Sequence, residues 1–244
     1  MTKEEICDAV REIGIIPAVR VSSSDDAHFA VEAVASGGIP IVEITMTVPG
    51  AIEVISHVTR YHPKVIIGAG TVLKVETAQR CVDAGAMFIT APGFNSRIVE
   101  FAIHHNLAAL AGALTPTEVI GAWETGSDFV KVFPCAPVGG EAYLRALKTS
   151  LPQISLIAAG GVNQQTARAY ILAGATAIGV GNDLIPQDAI ERRQADRIRE
   201  LAHRFRGFVK EARGLLAARQ QSISTRKALE ECEKGAATGR GKKR

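Results

Sequence analysis

The sequence predicts a single (β/α)8 barrel with a helix in front of it and an extension behind. Eight short apolar runs rich in β-branched residues alternate with stretches of helical periodicity, the order that builds a parallel sheet. The runs are apolar almost throughout, as strands buried on both faces must be. The length of 244 residues suits one closed barrel, for which ~250 residues is typical.

The elements follow in order. MTKEEICDAVREIG reads as an amphipathic helix with acidic residues early, and not as a charged-then-apolar leader. Strands are expected at IIPAVR (15–20), IVEIT (41–45), VIIGAG (65–70), MFIT (87–90), LAALAG (107–112), FVKVF (129–133), SLIAAG (155–160) and AIGVG (177–181). Stretches such as DAHFAVEAVASGG and EVIGAWETG supply the helices between them.

A weak repeat punctuates the alternation. VDAGAMFIT, WETGSDFVKVF and ILAGATAIGVG each end a helix on a glycine and start a strand at once, with SGGIPIVEIT a looser copy. Glycine just past a helix end accepts the left-handed conformation that stops the helix. Eight copies of one βα unit favour a closed barrel over an open sheet. No G-x-G-x-x-G follows the first strand, which argues against the dinucleotide-binding open sheet.

After Pro186, the segment 189–218 carries apolar residues at helical spacing and is expected to close the barrel with one last helix. Residues 1–214 form the barrel domain in this reading. Residues 215–244 form a basic tail, helical at first and then disordered over KGAATGRGKKR.

Charge separates body from tail. From Leu215 onward eight Lys/Arg face three Glu, a net +5, which leaves the first 214 residues at −2 of the total +3. A slightly acidic body calls for no nucleic-acid partner. No apolar run approaches the ~20 residues of a membrane span. Cys7, Cys81, Cys135 and Cys232 are scattered without a C-x-x-C pair, so neither a zinc site nor a disulfide framework is suggested. A cytoplasmic, reducing setting is expected.

Side chains at the C-terminal ends of barrel strands line the active site in this fold. Lys131 lies inside FVKVF, and alternation turns it inward while Val130 and Val132 face the other way. Burial penalises a charged amine and should lower its pKa, giving the neutral nucleophile that a Schiff base requires. A lysine merely paired with a carboxylate for structure is the plainer alternative. Glu43 in IVEIT is the natural partner, either as proton shuttle or as neutralising counter-ion. Arg20 ends the first strand, where a guanidinium could hold a substrate carboxylate with two hydrogen bonds or simply face solvent. Thr71 follows the third strand and offers a hydroxyl. The last two strands run into AAGGV and GVGND. Glycine backbone there, followed by a helix, is a usual phosphate cradle, and also a usual tight turn.

At these residues the chain resembles the 2-keto-3-deoxy-6-phosphogluconate (KDPG) aldolase family, with its 4-hydroxy-2-oxoglutarate (KHG) and phosphogalactonate relatives. The resemblance runs from about Ile6 to Lys210 through PAVR, VEITMTVPGA, IGAGTVL, FITAPGF, LAGALTPTE, FVKVFPC, AAGGVN and GVGNDL. It implies a homotrimeric barrel without metal that reversibly cleaves a 2-keto-4-hydroxy acid to pyruvate and an aldehyde. It implies Lys131 as the Schiff-base lysine and Glu43 as the acid/base, with Thr71, Pro92 and Phe133 lining the pyruvate pocket. Gly160, Gly161, Gly181 and Asn182 fall on the family's phosphate loops. Three departures stand out. Thr47 occupies a place where some members carry a carboxylate-binding arginine, so Arg20 is expected to take over that role. Ala159 replaces a threonine before the glycine pair, and Asn182 replaces a common serine. Two readings compete with the aldolase: a catalytically silent oligomeric scaffold, and another phosphate-binding barrel such as an isomerase or a thiamine-phosphate synthase relative.

Overall fold

A computed structural model describes the backbone of residues 1–239, with the side chains of residues 1–222, 224 and 225. The chain opens with α1 (Lys3–Ile13), whose start is fixed by a reciprocal capping box between Thr2 and Glu5. Ile6, Cys7 and Val10 form its buried stripe. Gly14 ends the helix and passes directly into the first strand.

Eight strands follow: β1 (Ile15–Val19), β2 (Ile41–Thr45), β3 (Ile66–Gly70), β4 (Phe88–Thr90), β5 (Ala108–Ala113), β6 (Phe129–Val132), β7 (Leu156–Ala159) and β8 (Ala177–Val180). Each pairs in parallel with the next, and β8 returns to β1 through Ile15↔Ile178, closing the barrel. Seven lie within the expected runs, and β5 overruns its own by one residue, Ala113. Between them stand α2 (Ser24–Ser36), α3 (Ala51–Tyr61), α4 (Val75–Asp83), α5 (Ser96–His104), α6 (Pro116–Glu124), α7 (Gly140–Ser150) and α8 (Ala167–Leu172). Strand and helix residues merge into one buried core. Among the described residues, no helix is long and apolar enough to cross a membrane.

The segment expected to form one closing helix forms two instead, α9 (Gln187–Glu191) and α10 (Ala195–Gly239). Arg193 breaks them by taking a left-handed φ of 51°. Its guanidinium reaches Asp26 at 3.0 Å and lies over the Phe29 ring, tying the break to α2. These tertiary contacts outweigh the helical propensity of the segment. The turn re-aims α10 against α2 and α8, where Ile198, Ala202, Phe205, Val209 and Ala212 pack at alternating spacings of four and three.

α10 continues past Leu215 into the tail, which was expected to be helical at first. It stays helical through Gly239 and so enters the stretch 234–244 that was expected to be disordered. Ala, Leu, Glu, Lys, Arg and Gln dominate residues 215–234, and these are strong helix formers. The final residues, 240–244, lie outside the described ones.

At the N-terminal end of the barrel, one side chain fastens α10 to the rest. The Arg213 guanidinium donates to the carbonyls of Glu12 and Arg11 at 2.5 Å each, and to Thr176 O at 3.1 Å. Burial pushes its pKa below the usual arginine value.

Candidate active site

Lys131 and Glu43 come from opposite sides of the barrel and meet inside it. Lys131 Nζ stands 3.4 and 3.5 Å from the two carboxylate oxygens, and the two side chains are only 13% and 5% exposed. Val130 and Val132 are fully buried on the other face of β6, as strand alternation requires.

Space for Glu43 exists because its neighbours are small. It pairs in register with Ala18 on β1 and Gly68 on β3. At Gly70, a Cβ would come within 2.5 Å of Glu43 Cγ and nearer still to the carboxylate. Glycine at 70 is therefore a condition for the carboxylate's position.

Thr90 at the end of β4 completes the setting, its Oγ1 3.3 Å from Lys131 Nζ. Sequence reasoning missed this residue, although the rule that selects strand ends applies to it as much as to Lys131. The centroid of the Phe133 ring lies 5.7 Å from Lys131 Nζ, near enough for a cation–π attraction.

Lys131, Glu43 and Phe133 face a cavity of about 270 Å³. Arg20 lines it beside Lys131, Glu43 and Phe133. The adjoining wall is built by the ends of β7 and β8 and the loops after them, from Ala159, Gly160, Gly161, Gly181, Asn182 and a residue not singled out from the sequence, Asp183. Gly160 and Gly161 take φ of +82° and +85° in succession, a conformation open to glycine and strained for other residues. Neither loop runs straight into a long helix. A turn over 181–185 separates β8 from the five-residue α9, and α8 starts only at Ala167.

Thr47, Thr71 and Pro92 do not line this cavity. The Thr47 hydroxyl is 2.7 Å from that of Thr45, which donates to Val19 O, so it braces the ends of β1 and β2. Thr71 sits at φ 60° just past β3, a costly backbone state for a β-branched residue. It is held between Met46 N→Gly70 O at 2.8 Å and Val72 N→Thr90 O at 3.1 Å. The Pro92 backbone packs against Gly112, the register partner of Lys131 on β5.

A largely buried amine and carboxylate in contact at the mouth of a closed parallel barrel, with an arginine on the same cavity, stand where (β/α)8 barrel enzymes carry their active sites. Residues 6–201 match the model of the family described as KDPG and KHG aldolase, and the chain belongs to that family. It is a carbon–carbon lyase by that membership. The 2-dehydro-3-deoxy-phosphogluconate aldolase of Treponema pallidum is 32% identical over 185 residues, covering 76% of this chain and 88% of that relative. The 2-dehydro-3-deoxy-6-phosphogalactonate aldolase of Escherichia coli is 34% identical, covering 71% and 85%. Among solved structures, KDPG aldolase from Legionella pneumophila, with pyruvate captured as a covalent carbinolamine, superposes with a TM-score of 0.76. It is 27% identical and covers 81% of this chain and 96% of that one.

Proposed function

We propose that the chain is a class I aldolase that reversibly cleaves a 2-keto-4-hydroxy acid to pyruvate and an aldehyde through an imine on Lys131. The observation that carries this reading is the 3.4 Å contact of Lys131 Nζ with Glu43 at the wall of a cavity that also presents Arg20. Two substrates frame the class: 2-keto-3-deoxy-6-phosphogluconate, which would yield glyceraldehyde 3-phosphate, and 4-hydroxy-2-oxoglutarate, which would yield glyoxylate. The relative from Legionella, with pyruvate held as a carbinolamine, supports the same chemistry here.

The arrangement accounts for each proton. Glu43 takes one from the Lys131 ammonium, and the freed amine attacks the C2 ketone while Arg20 holds the adjacent carboxylate. Glu43 passes its proton to the new alkoxide, then removes a second proton from nitrogen. It delivers that one to the departing hydroxyl, so water leaves and the iminium forms. The carboxylate next accepts the C4 hydroxyl proton, the C3–C4 bond breaks, and its electron pair enters the iminium to give an enamine. Glu43 returns the proton to C3, and hydrolysis releases pyruvate. The lysine itself is the electron sink, so these steps call on no metal. The proposal carries with it a homotrimer working in the cytoplasm.

The test is borohydride reduction in the presence of pyruvate, followed by peptide mapping. The expected result is a pyruvyl adduct on Lys131 that is lost in Lys131→Ala. Folded protein that forms no adduct at neutral or mildly alkaline pH would overturn the reading.

A further inference from the structure

The loops after β7 and β8 carry the wrong charge for a phosphate. Arg20 and Lys131 are the cations that line the catalytic cavity, and the keto acid uses both, one at its carboxylate and one at its carbonyl. The β7 and β8 loops add no cation, and at Ala159 no hydroxyl. They bring the exposed carboxylate of Asp183. Among the described residues, neither an ion pair nor a hydrogen bond engages that side chain.

Among the described residues, no cation lies within ion-pair distance of Asp183, although Arg20 stands at the end of the neighbouring strand. Beyond Asp183 and Asn182 the cavity adjoins an open cleft of about 580 Å³ that contains Arg197 and Arg204. Arg197 is already bound to Asp188 at 2.5 Å, and Arg204 to Glu200. A phosphate placed against Gly160, Gly161 and Gly181 would bring close to two negative charges beside a carboxylate that no ion pair holds. A hydroxyl in the same place would donate to that carboxylate in a charge-assisted hydrogen bond.

We propose that Asp183 is a specificity-determining residue that directs this aldolase to 2-keto-3-deoxy sugar acids with a neutral, hydroxylated tail, against their phosphate esters. The inference rests on the aldolase reading above and deepens it. In the condensation direction the matching acceptor is glyceraldehyde rather than glyceraldehyde 3-phosphate. Discrimination then comes from repulsion as well as attraction, as in other selective sites.

The experiment compares kcat/KM for 2-keto-3-deoxygluconate and its 6-phosphate in the wild type, Asp183→Asn and Asp183→Ser, at low and high salt. The wild type is expected to favour the unphosphorylated acid. Removing the carboxylate should raise kcat/KM on the phosphate ester by about tenfold, the scale of one like-charge contact at a partly exposed site. It should lower kcat/KM on the neutral acid, and salt should narrow the gap in the wild type alone. A wild type that prefers the phosphate ester, or a preference that neither variant moves, overturns the role of Asp183. Pyruvate trapping on Lys131 is measured on the same samples. Loss of that adduct in the wild type would sink the aldolase reading itself, whereas an intact adduct with an unmoved preference would sink only this inference.

Discussion

Gly70→Ala tests whether the position of Glu43, and not merely its presence, sets the rate. The new methyl carbon would lie 2.5 Å from Glu43 Cγ, against ~3.5–4.0 Å for carbon atoms in ordinary contact. The side chain must therefore withdraw by about 1 Å or change rotamer, and either movement breaks its 3.4 Å contact with Lys131. Gly70 φ lies outside the left-handed region, so alanine imposes no backbone strain there. The folding cost is that of overpacking, about 1–3 kcal/mol. Loss of a positioned acid–base group costs about 10²–10⁴ in rate, or roughly 3–5 kcal/mol of transition-state stabilisation. Cleavage is followed by coupling released pyruvate to lactate dehydrogenase, with calorimetry confirming that the variant is folded at the assay temperature. The expected outcome is a kcat at least about 10²-fold lower, close to that of Glu43→Gln. The double variant should lose little more than either single one, because both changes remove one function. A folded Gly70→Ala enzyme that keeps more than about a third of wild-type kcat, where at least a hundredfold loss is expected, would refute the argument. So would independent, multiplying losses in the double variant.

Two further perturbations probe the frame. Arg213→Ala removes three hydrogen bonds from a half-buried guanidinium to α1 and to the residue before β8. It should cost about 2–4 kcal/mol in denaturant unfolding, whereas a loss under about 0.5 kcal/mol, ordinary for a surface site, would mean that α10 is held by its apolar stripe alone. Glu118 accepts from the backbone of Thr115 and Leu114, which holds its carboxyl below the ordinary value of 4.5. A depressed folded pKa stabilises above the unfolded pKa and is lost as pH falls through the folded one. The wild type should therefore exceed Glu118→Gln in Tm at pH 7, with the gap closing below about pH 4.5. A gap that widens on acidification would contradict this sign.

The sequence carried the barrel because each strand states its own burial. IVEIT and FVKVF interrupt apolar runs with a single charged residue, and alternation turns Lys131 away from the face that Val130 and Val132 share. Closure of the sheet then brings β2 and β6 across from each other. What alternation leaves open is which inward side chains touch, since that depends on the stagger between strands. Thr90 and Gly70 were invisible for this reason: one reaches Lys131 and the other vacates the space that Glu43 fills. Arg193 was invisible for a different one. An arginine at φ 51° reflects its partners Asp26 and Phe29 on α2, nearly 170 residues earlier, and not any local turn signal. Resemblance carried residue types further than it carried reach. Arg20 and Phe133 line the cavity, while Thr47, Thr71 and Pro92 instead brace or border the strand ends around it.

On the proposed reading, the same geometry sets the reaction and the choice of substrate separately. Lys131, Glu43 and Thr90 project from strands whose other faces are sealed into the core, so moving any of them means repacking the barrel. Asn182 and Asp183 stand on an exposed turn between β8 and α9. Replacing them disturbs no core contact, because surface substitutions of this kind shift stability by about 0.5 kcal/mol or less. On the proposed reading, a single carboxylate on that turn changes which aldehyde is accepted while the imine chemistry stays intact. The ratio of rates on neutral and phosphorylated tails should therefore respond to position 183, and the yield of pyruvyl-lysine to positions 43, 70 and 131.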